Sequence, residues 1–369
     1  MFKYKYLTGA LLLLAASACK VPALTQSSVK VVPPASYTDS LPADTSTAGT
    51  IPWRKFFTDK TLVGLVDTAL KNNQELLSTL QEIEIARNEI TARKGELLPF
   101  VTARAAAGAE KVGRYTSQGA GDASTEITPG KEVPDILPDQ LVGLYASWEV
   151  DIWKKLRNAK QAAITRFLAT VEGRNFVITN LVAEIARSYY ELLALDNQAA
   201  IVHKNIELQQ QALEVVKVQK QAAVVTELAV KKFEAELLSS QGMEYEIKMQ
   251  VKETENRINA LLGRYPQPIP RDPAAFVNST PMTIQAGVPA QLLVNRPDIR
   301  QAELELTAAQ LDVKVARAEF YPRLDITASL GLNAFNPAYL VRLPESMLFS
   351  LAGDLVGPLV NKNAIQAAY

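Results

Sequence analysis

Residues that could do chemistry are few in this 369-residue chain. His203 is its one histidine and Cys19 its one cysteine. A metal site or a nucleophile–base pair needs several such groups together, and His203 has only Val202 and Lys204 beside it. It reads as a surface or helix-contact residue, and no catalytic, cofactor or metal site is expected. Glu234 and Glu236 read as a solvated face. "GAGDAS" (119–124) is rich in glycine, but no helix bearing Lys-Ser/Thr follows it. It is expected to be an exposed loop rather than a phosphate cradle. The ordered polar set is different: Glu149, Asp151, Asp325, Thr327, Ser329 and Asn333 each alternate with apolar neighbours. Such a row faces water, either outside a soluble sheet or, were the sheet closed into a barrel, as an acidic-leaning lining expected to discriminate weakly among solutes.

Strands must position that row. In "YPRLDITASLGLN" (321–333), Leu324, Ile326, Ala328, Leu330 and Leu332 alternate with Asp325, Thr327, Ser329, Gly331 and Asn333. A period of two gives a strand with one apolar and one polar face. "LVGLYASWEVDIW" (141–153) alternates likewise, with Val142, Leu144, Ala146, Trp148, Val150 and Ile152 on the apolar side. "FSLAGDL" sets Phe349, Leu351 and Leu355 against Ser350 and Asp354. The spacing predicts two β-hairpins, 100–152 and 323–357, with four strands of about 9–12 residues, long enough to cross a bilayer when tilted. A soluble sheet with one face on a core is the alternative. Trp148, Trp153 and Tyr145 gather toward one strand end, as interfacial aromatics do. In lipid the sheet must close on itself, and single-chain barrels begin at about eight strands. Four strands per chain therefore require at least two copies.

The rest reads as helix. "NNQELLSTLQEIEIARNEITARKGELLP" and "NRPDIRQAELELTAAQLDVKVARAEFYP" match in kind, Leu76 with Ile299, Ala86 with Ala309, Ile90 with Val313 and Glu96 with Glu319. Each copy is expected to be a helix of roughly 35–40 residues running into a strand, the second over 288–319. Between the hairpins, Val171, Ile178, Ile185, Leu192, Ala199, Ile206 and Leu213 recur every seventh residue, with Leu181, Leu195, Val202 and Val216 as companions. Sustained heptads predict a coiled-coil-like helical hairpin over 158–262. "QAAVVTELAV" (221–230) turns it, with Thr226 as N-cap. Gly263 and the prolines after it end the hairpin. Residues 53–282 thus form a first repeat and 283–369 a second, incomplete one. A second arm of about 100 residues is expected after Val360, so the sequence reads as part of a longer protein.

The N-terminus opens with two lysines, an apolar run from Leu7 to Ala16, and small residues before Cys19. This is a secretory signal over 1–18. Ala16-Ser17-Ala18-Cys19 resembles a lipobox, with Ala where Leu is usual, so lipidation of Cys19 is expected. Residues 19–52, rich in Pro, Ser and Thr, would be an extended tether from that anchor. Past the signal no run of about 20 apolar residues exists, as a spanning helix would need. Lys plus Arg and Asp plus Glu both number 39, a balance with no pull toward nucleic acid.

The run "NRPDIRQAE" (295–303), preceded by "VPAQLL" and followed by "FYP", resembles the signature of the TolC-type outer membrane factors. Within them it is most similar to the lipoprotein branch serving resistance-nodulation-division efflux pumps. Trp53, Phe57-Thr58-Asp59, Leu62, Leu65 and Ala69 to Asn73 resemble the same family's opening segment. "SWEVDIWKKLRNA" (147–159) resembles its strand exit and "LLG" (261–263) its end-of-arm mark. The resemblance implies an α+β fold: a homotrimer whose 12-stranded β-barrel crosses the outer membrane above a periplasmic α-barrel. It implies a passive exit duct for small toxic compounds, docked on a periplasmic adaptor and an inner-membrane pump. The alternatives are a type I secretion duct and a lipid-anchored periplasmic coiled-coil scaffold. At the tip turn the family usually has Gly and a later Asp, where this chain has Ala223 and Ala229. The candidate adaptor contact is Ala223, Val224, Val225, Thr226 and Leu228. These residues could instead cap the tip against neighbouring protomers.

Overall fold

The computed structural model describes residues 32–34, 48–272, 287–358 and 363–369. The signal segment, Cys19 and most of the tether lie outside the described residues. Contacts divide the chain into two units, one of residues 86–167 and 305–369, the other of residues 29–85 and 168–304.

The second unit is helical. Helix α1, Lys60–Asn72, starts at Asp59, whose Oδ1 accepts hydrogen bonds from Thr61 N (2.7 Å) and Leu62 N (3.2 Å). This satisfies two of the amides that a helix start leaves without partners. Helix α2 is Gln74–Gly95. Asn73 breaks the path between them: its Oδ1 accepts from Leu76 N (2.9 Å), and its Nδ2 donates to the Leu261 carbonyl (2.9 Å).

Helix α3, Lys155–Gln221, is unbroken for 67 residues, about 100 Å at 1.5 Å per residue. Helix α4, Glu227–Leu261, returns along it. Ile185 and Leu192 are fully buried, and Leu181, Leu195, Val202, Ile206, Leu213 and Val216 are buried with them. They pack in three successive clusters with Ile258, Ile247 and Val230 of α4. After α4, Gly263 takes a left-handed φ of 62°, and a Cβ there would lie 2.2 Å from the Asn72 carbonyl oxygen. Only glycine fits this stop.

The second copy of the repeat breaks too. The sequence predicted one helix over 288–319; the structure has α5, Pro289–Asn295, and α6, Pro297–Ala318. Arg296, between them, precedes Pro297, whose ring disfavours helical backbone at the residue before it. Arg296 and Asn73 occupy equivalent places in the two copies, so both expected long helices are jointed at one repeat position.

In the first unit, β1 (Phe100–Glu110), β4 (Leu137–Val150), β5 (Arg323–Ala334) and β6 (Met347–Val356) form one antiparallel sheet in the order β1-β4-β5-β6. The two hairpins are joined by β4–β5 pairing, with Val150 opposite Leu324 and Leu144 opposite Leu330. The apolar rows therefore stack on one face and the polar rows on the other. A short ribbon of β2 (Glu126–Thr128) and β3 (Lys131–Glu132) sits in the β1–β4 connection. The expected loop at 119–124 is mostly helix there, because Ser117–Asp122 coils behind a Thr116 cap and buries Gly119. No described helix is long and apolar enough to cross a membrane, which says nothing of a barrel.

Candidate functional site

The polar face is built rung by rung. Glu149 stands opposite Asp325, and Asp325 opposite Asp354. Like charges facing across a sheet repel, and two cations relieve them: Lys155 Nζ lies 2.5 Å from Glu149 and Arg323 Nε 2.9 Å from Asp325. Next come Thr327 opposite Ser147, then Ser329 between Tyr145 and Ser350. The Ser329 and Ser350 hydroxyls are 2.7 Å apart. Asn333 Nδ2 donates to Asp139 Oδ1 at 2.7 Å. Glu149, Asp325, Thr327, Ser329 and Asn333 thus share one wet surface.

Asp151 does not share it. Strand β4 ends at Val150, and the Asp151 carboxylate turns to the start of α3. It accepts from Leu156 N (3.0 Å), Arg157 N (3.0 Å) and Arg157 Nε (2.9 Å). Burial pushes this carboxyl up, but the hydrogen bonds from Arg157 and Leu156 outweigh it and hold it below the usual range. The expected lining residue is a strand-to-helix clasp: alternation cannot see where a strand ends.

The aromatic trio also divides. Tyr145 is on the polar face and Trp148 on the apolar one, because odd and even positions of β4 point apart. Trp153, past the strand, stacks on Tyr321 at 4.8 Å and donates Nε1 to the Pro322 carbonyl (2.7 Å). Phe335 and Tyr339 pair at 5.3 Å at the opposite strand end.

At the arm's turn, Ala223 holds φ at 52°. Val224 N donates to the Gln219 carbonyl at 2.9 Å, and Lys220 and Glu227 form an ion pair. Val224 and Leu228 are exposed, but Val225 packs inward with Leu213, Val216 and Val230. Thr226 precedes α4 with extended backbone, yet its side chain makes no capping bond. His203 Nδ1 lies 3.1 Å from Glu244 Oε1, a contact between α3 and α4. Among the described residues no cluster of His, Cys, Asp or Glu could hold a metal ion.

Sequence reasoning missed Phe100, which begins β1 on the polar face opposite Ser147. Its position just after Pro99 hid which way it would point.

A model of the outer membrane efflux protein family matches residues 65–264 and 288–336. The chain belongs to that family. It is 28% identical over 351 residues to the pyoverdine export outer membrane protein OpmQ of Pseudomonas putida, covering 95% of this chain and 72% of that one. It is 26% identical over 279 residues to the toluene efflux pump outer membrane protein TtgI of the same species, covering 75% of this chain and 57% of the relative. The fold is that of the open-state MtrE outer membrane channel of Neisseria gonorrhoeae, with a TM-score of 0.75 at 21% identity, across 95% of this chain and 74% of the other.

Proposed function

We propose that this family member is the outer-membrane exit duct of a tripartite efflux pump, closing with two further copies into a 12-stranded barrel. One observation carries the reading: a four-stranded sheet with one predominantly apolar and one predominantly polar face, whose outer strands, β1 and β6, each have one neighbour among the described residues. Edges left open in hydrocarbon cost several kcal/mol per unpaired backbone group, so such a sheet is completed by other copies. The apolar row from Leu324 to Ala334 is about 33 Å along the strand. At a tilt near 40° it spans about 25 Å, the height of a barrel's lipid-facing band.

In this reading Glu149, Asp325, Thr327, Ser329 and Asn333 line the water column, and Cys19 carries a lipid anchor. Val224 and Leu228, at the arm's turn, meet the periplasmic adaptor that links the duct to an inner-membrane pump. The duct is passive, and the names of the relatives, one for pyoverdine and one for toluene, suit a conduit that leaves cargo choice to the pump. Deleting the gene should sensitise the host to several unrelated drugs or detergents, and Cys19→Ser should weaken that protection by loosening the anchor. Unchanged sensitivity in the deletion strain, with protein secretion also unaltered, would remove the proposal.

A further inference from the structure

The polar face is not uniformly wet. Phe100 shares a rung with Ser147 and Thr327, yet its ring is 70% exposed. A singly exposed apolar ring is ordinary by itself; its place beside a cleft is what sets Phe100 apart. It borders a cleft of about 790 Å³ at the base of the sheet, a volume typical of small-molecule sites.

The charges of that cleft nearly cancel. Arg93 pairs with Glu96 (3.1 Å), Lys155 with Glu149 (2.5 Å) and Arg323 with Asp325 (2.9 Å). Glu319 also lines the cleft, at the end of the repeat helix, and among the described residues its carboxylate has no ion pair or hydrogen bond. One uncompensated negative charge and one bare aromatic face thus share a cavity with room for a fused-ring molecule. A planar organic cation satisfies both: its ring covers Phe100 and its charge faces Glu319.

We infer that this cleft is a transient binding site for planar aromatic cations on their way through the duct. Phe100 is the stacking surface and Glu319 the counter-charge. The inference rests on the duct reading, since it needs the polar face to line the lumen.

Single-channel recording of the full-length protein in planar lipid bilayers separates the two claims. Ethidium is titrated against the open-channel current and compared with phenanthridine, its ring system without a charge at neutral pH. Phe100→Ser should raise the half-blocking concentration of both compounds about tenfold, and Phe100→Tyr should restore it. Glu319→Gln should weaken ethidium about fivefold and leave phenanthridine unchanged. Open channels whose block by ethidium stays within twofold in both variants would overturn the site and leave the duct intact. So would a Phe100→Ser variant that loses oligomer resistance to detergent without altered block, which would place the ring in a seam between copies. Absence of conductance in the wild type would overturn the duct, and the site with it.

Discussion

The helical arm and the sheet use similar side chains in opposite ways. Along α3 the apolar seam is covered within the chain, by α4 and, around Ile185 and Leu192, also by Leu62, Leu65, Val66 and Ala69 of α1, so that both residues are fully removed from water. Across the sheet the corresponding stripe stays bare: Leu351 is 77% exposed, and Phe349 and Leu355 are exposed beside it. The arm's seam is buried within the molecule, whereas the sheet has a core-like face that nothing among the described residues covers. Burial of the arm's seam is thus a property of one molecule, whereas in the proposed barrel the sheet's apolar face is left to lipid and to neighbouring copies.

Truncation exposes that contrast most strongly. Leu192→Ala should cost about 2–5 kcal/mol, from lost transfer energy and the cavity left behind, read as a fall in the melting temperature of the purified protein. Leu351→Ala should leave that temperature unchanged within error, because its side chain contacts solvent or detergent in both states. Equal losses from the two would mean the sheet face is packed inside the molecule, and the comparison would fail.

Charge insertion sharpens the distinction between the faces. An arginine on the lipid side of a barrel costs about 2–4 kcal/mol near the midplane, while a lumen position tolerates it. Leu351→Arg should therefore block insertion into lipid vesicles, measured by the heat-dependent gel mobility of folded barrels. Thr327→Arg, on the other face, should insert as the wild type does. If both insert equally, the alternation does not separate lipid from water.

Ion pairs differ between the regions as well. In the sheet, the Arg323–Asp325 pair is the more solvated, with the Arg323 side chain 57% exposed, and exposed pairs contribute at most about 1 kcal/mol. At the arm's base, Arg271, in the segment after α4, joins Asp196 (Nη2–Oδ1, 3.0 Å) and Glu255 (Nη1–Oε1, 2.7 Å), and the Glu255 side chain is only 7% exposed. Burial pushes Glu255 up, but Lys252 and Arg271 together hold it below the usual carboxylate range. A lowered folded-state value means the stabilisation is present above the unfolded value, about 4.3, and fades as pH falls through the folded one. Arg271→Ala should cost about 2–3 kcal/mol at neutral pH and flatten the acid side of the stability profile. An unchanged acid limb would show that this clasp does not set acid sensitivity.

Much of this contrast was legible in the sequence. Period two in residues 324–333 gave the two faces, and period seven from Ile185 to Leu213 gave the seam, because both rest on which side of an element a residue must occupy. What escaped depends on contacts between distant segments. The joint at Asn73 is fixed by the Leu261 carbonyl, and Asp151 leaves the sheet because Arg157 and the first amides of α3 draw it away. Val225 looked like its neighbours Val224 and Leu228, and only the turn's geometry sends it inward. Arg296 was readable, since Pro297 follows it, yet the apolar period running through the joint masked the break.

The smallest effect lies at the turn, where the arm's closed core comes nearest to the sheet's condition of exposed apolar residues. Ala223 occupies left-handed backbone at φ 52°, which costs an L-residue about 1–2 kcal/mol. Glycine removes that strain but enlarges the unfolded ensemble, offsetting about 0.5–1 kcal/mol. Ala223→Gly should therefore raise stability by at most about 1.5 kcal/mol, a rise of about 2 °C at most by calorimetry. The gain is confined to the arm, because the turn is held by backbone bonds to Gln219 and Lys220 that the substitution leaves in place. A drop in melting temperature would mean the Ala223 methyl is packed rather than strained, and the arm's core would then reach further toward its tip than Val225 and Val230.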